Sequence, residues 1–262
     1  MIQHTIQPLF ASGALQFAFE KATIEGKITI GVLFLLSLFS WSIIISKTRQ
    51  LLRARRRAEG FFADYNATRD PLELKRKGAE FAGAPAFYLY SQGAAELEYQ
   101  LSHNVVLVKG QQRISPASFT AVKVALEEAA AVQARALEKG MIVLSTAVAG
   151  GPFIGLLGTV WGVMETFAGI ARANAASLTA MAPGVAGALI ATVVGLLVAI
   201  PAMFAYNFMV TTIRAITQEL DGFATRYATQ IEQVYVDNRD LEDKIVGALR
   251  RAEDLENETT AA

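Results

Sequence analysis

The stretch GPFIGLLGTVWGVMETFAGIA, residues 151–171, is apolar enough to cross a membrane, yet it contains several glycines, a proline and a central hydroxyl. A helix that only anchors a protein in lipid requires none of these residue types. Burial from water does not drive helices together inside lipid, so transmembrane helices associate mainly through close packing of small residues. The stretch therefore indicates a transmembrane helix that packs closely against another helix.

Small residues recur here at spacings of four, which places each pair on one face of a helix. The glycines concerned are Gly151 and Gly155, and again Gly158 and Gly162. A later apolar stretch repeats the spacing with Gly187, Ala191, Gly195 and Ala199. The two helices are therefore predicted to pack tightly, either on each other or on copies of themselves. Taken by themselves, the glycines are also consistent with a generic helical bundle.

Long apolar runs without charge dominate the chain, which has 262 residues, 53% of them hydrophobic, and a formal net charge of zero. The runs cover residues 28–46, 140–164 and 173–213. Because about 20 apolar residues cross the hydrocarbon layer as a helix, the sequence predicts three transmembrane helices. Their predicted bounds are 26–47, 140–167 and 184–212, with residues 168–183 as an external loop.

The basic residues predict how the chain is oriented. Residues 47–57, KTRQLLRARRR, are strongly basic, whereas the loop between the second and third spans carries only Arg172. Positive charge stays on the cytoplasmic side of a membrane. We therefore expect an N-out, C-in topology with a cytoplasmic helical domain at 48–139 and a cytoplasmic helical extension with an acidic tail at 213–262. Residues 1–25 are predicted to form an amphipathic segment at the outer surface.

Two soluble helices are predicted in more detail. One begins with Ser115 as its N-cap and Pro116 at its first position. No breaker is recognised between this helix and the second span, so we expect it to run straight into the membrane. The other continues the third span, because the helical pattern extends from Tyr206 to about Ala252.

Groups suited to catalysis or metal binding are scarce. The chain has no cysteine, and its two histidines, His4 and His103, have no second ligand nearby in the sequence. The acidic residues Asp237, Asp240, Glu242 and Asp243 lack the spacing of a calcium loop and are interpreted as a solvated helix face. GGPFIGLLGT resembles a phosphate loop only in its glycine content. We therefore expect no enzyme, no cofactor, no metal and no nucleic-acid partner.

Polar groups inside the predicted second and third spans are few. No Asp, Glu, Lys, Arg or His occurs at 140–164 or at 183–213, although proton and ion pathways normally require an ionisable group within the membrane. Thr159 and Thr192 carry hydroxyls that either bond to their own helix backbone or form a narrow polar ring inside an oligomer. If the chain lines an ion pathway, the titrating acid must come from another chain.

Two motifs carry a family resemblance. The stretch at 151–171, together with MAPGVAGALIATVVGLLVAIPAMFAYN at 181–207, resembles the paired signature of the ExbB/TolQ branch of the MotA/TolQ/ExbB channel family. SWSIIISKTR at 40–49 is also similar to this family. The resemblance implies an all-α membrane protein of the bacterial inner membrane, with five copies around a central pore. It also implies that Thr159 and Thr192 line this pore.

The same resemblance implies partners and a role. A smaller one-span protein like ExbD or TolR would insert a helix with an essential aspartate into the pore. Proton motive force would then drive movement that a TonB- or TolA-like protein transmits outward, for nutrient uptake or for envelope constriction. The sequence leaves open which of these two systems the chain serves. A small-solute transporter and a non-conducting scaffold are the alternatives.

The chain departs from the family pattern at two positions. Gly187 stands where the family commonly has a glutamate, and Glu165 is an acid where a neutral or weakly basic residue is expected. Glu165 is interpreted as an interfacial charge, because it lies off the helix face of Thr159 and about 9 Å along the helix. The prolines Pro152 and Pro201 are predicted to adjust or kink the second and third spans.

The predicted topology can be tested by labelling, because the chain contains no cysteine. In Arg56→Cys, a membrane-impermeant maleimide should react with the new cysteine only after the membrane has been permeabilised. In Ser177→Cys, the same reagent should react with intact spheroplasts. Labelling of Arg56→Cys from outside would show that the topology is wrong.

Overall fold

The structure is a computed structural model that describes residues 24–108, 110–173, 178–237 and 245–246. In this part of the chain it forms six named α-helices and a two-stranded sheet. The elements are α1 (Ile24–Asn66), α2 (Glu73–Arg76), α3 (Pro85–His103), β1 (Val105–Val108), β2 (Gln111–Ile114), α4 (Pro116–Glu138), α5 (Met141–Ala173) and α6 (Leu178–Tyr235). Of the predicted amphipathic segment at 1–25, only the last two residues are described.

Three of these helices are long and apolar enough to cross a membrane, namely α1, α5 and α6. Large apolar side chains stand exposed along all three, among them Phe34, Phe39, Phe153, Phe167, Phe204 and Phe208. Exposed apolar surface of this extent is unfavourable in water and marks contact with lipid or with another protein. The prediction of a helical membrane protein with three membrane-competent helices is confirmed.

The described chain divides into two compact units. The first comprises the residues up to Arg49 together with Glu138–Thr212, and it holds the apolar parts of α1, α5 and α6. The second comprises Gln50–Leu137 together with the residues from Ile213 onward. It therefore contains the remaining parts of α1 and α6, the helices α2, α3 and α4, and the sheet.

An aromatic cluster forms the core of the second unit. The ring of Phe223 stands at 82–88° to those of Phe61 and Tyr65, with centroids 5.4 and 5.0 Å away. Edge-to-face contacts of this kind are favourable because the positive edge of one ring meets the negative face of the other. Gly93 of α3 is buried beside this cluster, where an added Cβ would lie 3.0 Å from the ring of Tyr227. The glycine thus allows α3 to approach both α4 and α6 closely.

Polar contacts hold the end of α6 against the segment before α2. The Tyr235 hydroxyl donates to Asp70 over 2.8 Å, and the Arg76 guanidinium bonds to both Asp70 and Tyr235, over 2.6 and 3.2 Å. Burial and the hydrogen bond to Asp70 raise the pKa of Tyr235 to about 12. Tyr235 therefore remains a neutral donor at physiological pH. Deeper in the core, the Tyr227 hydroxyl donates to the Pro71 carbonyl over 3.2 Å.

The start of α4 follows the prediction, whereas its end does not. The Ser115 side chain accepts a hydrogen bond from the Ser118 amide over 3.1 Å, so Ser115 is the N-cap. Helix α4 ends at Glu138 and does not run straight into the second span. Gly140 interrupts the helix, because its φ of +89° is a conformation that residues with a side chain rarely adopt. A new helix, α5, then begins at Met141.

The end of α6 also differs from the prediction. The helix ends at Tyr235 and does not continue to about Ala252. Val236 bridges to Ile114 in parallel, and the Asp237 amide donates to the Ile114 carbonyl over 3.0 Å. This pairing uses backbone groups that a continued helix would need. Asp240, Glu242 and Asp243 lie outside the described residues.

The sheet was not anticipated from the sequence. Strands β1 and β2 pair antiparallel, with Val105 opposite Ile114 and Val108 opposite Gln111. Gly110 in the connecting turn has a φ of +77°. The predicted external loop at 168–183 is also shorter than expected, because α5 continues to Ala173 and α6 begins at Leu178. Which side of the membrane it faces stays a prediction.

Two leucines of the second unit provide a matched test of its core. Leu97 on α3 is 0% exposed, whereas Leu107 on β1 is 73% exposed. Leu97→Ala should lower the free energy of unfolding by about 2–5 kcal/mol, because it leaves a cavity in a packed core. Leu107→Ala should change it by less than about 0.5 kcal/mol. Thermal unfolding of the purified full-length protein measures both, and equal effects would contradict the described core.

Candidate pore-lining site

Helices α5 and α6 pack on each other with almost no side chain between them. A Cβ added at Gly155 would lie 2.8 Å from the carbonyl oxygen of Ala191, and one added at Gly195 would lie 2.6 Å from that of Gly151. Neither distance leaves room for a methyl group. The predicted glycine spacing therefore produces a backbone-to-backbone contact, which we call the glycine seam. Of the two packings left open by the sequence, the structure has α5 on α6.

The other predicted packing glycines extend this contact. A Cβ at Gly162 would lie 2.7 Å from the Cβ of Ala188, and a Cβ at Gly158 would lie 2.6 Å from that of Ala191. Gly158 also adjoins α1, since its added Cβ would come within 3.0 Å of Thr29. The sequence does not single out Thr29 as a packing residue, because nothing marks it except its small size near the start of the first apolar run. Gly187 is buried in α6.

The two threonines singled out from the sequence meet at the edge of the glycine seam. Their hydroxyls are hydrogen-bonded to each other. Thr159 also reaches the carbonyl of Ala188 across the seam over 3.2 Å, and Thr192 reaches that of Gly155 over 3.3 Å. Each threonine thus contacts the carbonyl that lies four residues before the other threonine. The arrangement is reciprocal, and it links the two helices through polar groups as well as through packing.

These hydroxyls also lie near backbone carbonyls, at longer distances. Thr159 also lies 3.4 Å from the carbonyl of Gly155 on its own helix. The bonds to carbonyls are longer than the 2.7–2.8 Å usual for a hydroxyl donor, so each is weak. The carbonyls concerned belong to helices and accept backbone bonds as well. The closest polar contact of each hydroxyl is the other hydroxyl.

The threonine pair also lies beside exposed apolar surface. Both threonines are half-buried, whereas the residues that follow them, Val160 and Val193, are exposed. The pair therefore marks a boundary between the buried glycine seam and a surface that faces lipid or another protein. A polar pair at such a boundary can be reached by a group from a neighbouring helix.

Charge is found only at one end of α5. Glu165 pairs with Arg172 over 2.6 Å, and both side chains are exposed. An exposed ion pair contributes little to stability. That Glu165 is a charge at the membrane interface stays a prediction. Pro152 and Pro201 lie inside continuous stretches of α5 and α6. That they kink these helices stays a prediction.

The part of the chain that the structure describes contains no group of three acidic or histidine side chains able to hold a metal ion. His103 stacks on Tyr99, with ring centroids 4.3 Å apart. Its Nδ1 lies within hydrogen-bond distance of the Ser102 hydroxyl and the Tyr99 carbonyl. His4 lies outside the described residues.

These features define a multi-pass helical membrane protein in which two helices pack closely and are also joined by a pair of hydroxyl groups. Residues 99–222 match the MotA/TolQ/ExbB proton channel family. This range includes the glycine seam on both helices and the threonine pair. It begins within α3, so it also takes in the sheet and α4 of the second unit.

Individual relatives extend the similarity. The Tol-Pal system protein TolQ of Haemophilus influenzae is 32% identical over 219 residues, which cover 80% of this chain and 90% of the relative. The biopolymer transport protein ExbB of Salmonella typhimurium is 32% identical over 210 residues, or 79% and 82% of the two chains. ExbB of Pseudomonas putida is 34% identical over 196 residues, or 74% of this chain and 56% of the relative. The chain belongs to the MotA/TolQ/ExbB proton channel family, in its ExbB/TolQ branch.

Two glycines of α5 test the glycine seam. Gly155→Ala should destabilise the helix pair by about 1–3 kcal/mol, because the new methyl group overpacks against the backbone of α6. Gly169→Ala should cause no loss, since a Cβ there would meet nothing within 4 Å. Thermal unfolding of the detergent-solubilised protein compares the two variants. If Gly155→Ala is as stable as Gly169→Ala, the backbone contact is wrong.

Proposed function

We propose that this chain is the channel subunit of an inner-membrane motor driven by proton motive force. Five copies surround a central pore, and Thr159 and Thr192 supply its main polar contacts. The observation that carries the proposal is the reciprocal hydroxyl pair at the edge of the glycine seam. The names of its relatives, TolQ and ExbB, support a role in Tol-Pal or biopolymer transport systems.

The oligomer is supported by the surface next to the threonine pair. Val160 and Val193 are exposed in the single chain, as are Leu156 and Leu189 on the same two helices. In an assembly these side chains would face neighbouring copies or the pore. A pore lined by apolar groups with few hydroxyls blocks ions by dewetting. The chain alone would therefore conduct poorly.

In this proposal, the titrating acidic group of the ion pathway comes from a partner. Residues 140–164 and 183–213 contain no Asp, Glu, Lys, Arg or His, and Gly187 stands where the family commonly has a glutamate. A one-span partner like ExbD or TolR would place an aspartate near the threonine pair. Desolvation in the pore favours the protonated carboxyl group, whereas a hydroxyl that donates to it favours the charged form. The balance between these effects would let the aspartate alternate between its two states as protons pass.

The force generated in this way would be transmitted to a TonB- or TolA-like protein. With the predicted N-out, C-in orientation, little of this chain lies outside the membrane. The partner would then provide most of the connection to the outside. The second unit, with its separate aromatic core, would form the cytoplasmic part of the assembly.

Proteoliposomes test the two-component mechanism. The full-length chain, alone or co-purified with the one-span protein encoded beside it, is reconstituted under an imposed proton gradient. Proton flux is followed with an internal pH dye. We expect flux that depends on the partner, because the partner supplies the titrating acid. A flux carried by the chain alone and not increased by the partner would contradict this mechanism.

Variants of the threonine pair identify the pathway within the same assay. Thr159→Val and Thr192→Val keep the side-chain shape and remove the hydroxyl, so flux with the partner should fall at least about tenfold, the effect of losing one hydrogen bond to a charged group, while the oligomer still assembles. Thr159→Ser and Thr192→Ser retain the hydroxyl and serve as controls. Normal flux in both valine variants would mean that neither threonine lines the pathway. Absence of flux in every preparation, wild type included, would favour the non-conducting scaffold.

A further inference from the structure

A solvent-open cavity of about 690 Å³ lies within the second unit and has no part in the proposed ion pathway. Its volume is within the range of small-molecule sites, about 300–1,000 Å³. Three arginines of α1 form one wall, and the segment before α3 forms the other. The lining residues are Arg53, Arg56, Arg57, Gly60, Glu80, Phe81 and Ala82.

The arginines share one face of α1, because positions i, i+3 and i+4 lie together on a helix. Ala54 and Ala58 are buried, so a different face of the helix packs into the protein. The Arg57 guanidinium donates to the carbonyl of Ala82. Gly83 provides room for this contact, since a Cβ there would lie 2.7 Å from Arg57 Nη1. Arg57 is therefore held in position at the side of the cavity.

The charge of the cavity is not balanced within the described residues. Three arginines face a single acid, Glu80, and none of the three forms an ion pair there. Arg55 lies next to Arg56 in the chain but does not line the cavity, and it pairs with Glu59 over 3.8 Å. Guanidinium groups fit phosphate well, because their donors match two oxygens at once. We propose that the cavity binds the phosphate of an anionic phospholipid headgroup.

A lipid is favoured over a free phosphate by what lies next to the cavity on α1. Arg53 follows Ser46, the last residue of the charge-free run, by seven residues, a helical rise of about 10 Å. The headgroup layer extends about 5–8 Å beyond the hydrocarbon, and an arginine side chain can reach back toward it. Leu52 is 61% exposed and lies four residues before Arg56, so it is on the same face. An apolar side chain on the membrane side of the guanidinium groups suits a ligand with an acyl chain.

The positive-inside rule does not account for this arrangement. Topology depends on how many basic residues follow a span, and Arg55 contributes to that number as much as Arg56 does. Binding of an anion in the cavity depends instead on which positions carry the charge. The two adjacent arginines therefore form a matched pair for a test, since each substitution removes one charge from the same basic segment.

Gly60 supplies a second test that keeps every arginine. It lines the cavity, and a Cβ added there would meet nothing within 4 Å. Gly60→Glu should fold normally but place a negative charge in the cavity. Gly60→Ala introduces only a methyl group and serves as its control. Any loss of binding in Gly60→Glu alone would come from the cavity and not from topology.

The experiment is native mass spectrometry of the full-length protein, delipidated in detergent and titrated with phosphatidylglycerol, phosphatidylcholine or inorganic phosphate. The wild type should bind phosphatidylglycerol in preference to phosphatidylcholine. Arg56→Gln should weaken this binding about fivefold, the effect of losing one basic contact to an anionic lipid, and Gly60→Glu should weaken it at least as much. Arg55→Gln and Gly60→Ala should bind like the wild type. Thermal unfolding confirms that each variant is folded.

Three results would overturn the proposal. An equal loss in Arg55→Gln and Arg56→Gln would show that only the total charge matters. Equal binding of phosphatidylcholine would show that the site does not select anions. If inorganic phosphate displaces phosphatidylglycerol at equal concentration, the ligand is a free anion and not a lipid. None of these results depends on whether the chain conducts protons.

Discussion

The backbone contact between α5 and α6 determines most of what the first unit can do. Inside lipid the helices gain nothing from leaving water, so their association depends on close contact and on a few polar bonds. Glycines allow the carbonyls of Gly151 and Ala191 to reach positions that a methyl group would otherwise occupy. Only at this separation can Thr159 and Thr192 each reach a carbonyl on the opposite helix. The polar pair is therefore a product of the packing.

The two units of the chain are stabilised by different forces. The second unit buries large aromatic side chains, and the hydrophobic effect that drives this burial is proportional to the apolar area removed from water. Its core includes Phe61, Tyr90, Phe223 and Tyr227, which are almost completely buried. The first unit packs its smallest residues instead and leaves its largest ones exposed. The same substitution, from a small to a large residue, is thus harmful in the glycine seam and tolerated on the outer faces of the same helices.

The sequence was most informative where a feature depends on local pattern. Charge-free length predicted the three membrane-competent helices, spacing of four predicted the glycine seam, and Ser115 with Pro116 predicted the start of α4. The threonine pair was also predicted from the sequence. Its cross-helix bonds to the carbonyls of Ala188 and Gly155 were not, because they depend on the distance between the two helices.

The features that the sequence did not predict have a common cause. The left-handed conformation of Gly140, the end of α6 at Tyr235 and the cavity at Arg56 all depend on contacts between segments far apart in the chain. A glycine that breaks a helix cannot be distinguished from one that packs in a helix by its identity alone.

The reciprocal bonds of the threonine pair have one more consequence. Each hydroxyl has a single proton, so the pair can form a directed chain that ends on a carbonyl across the glycine seam in two ways. In one, Thr159 donates to Thr192, and Thr192 donates to the Gly155 carbonyl of α5. In the other, Thr192 donates to Thr159, and Thr159 donates to the Ala188 carbonyl of α6. The two forms differ only by rotation of the hydroxyls, and the local dipole reverses between them while the backbone stays fixed. The helix pair thus contains a hydroxyl pair whose direction of donation can reverse without any movement of the backbone.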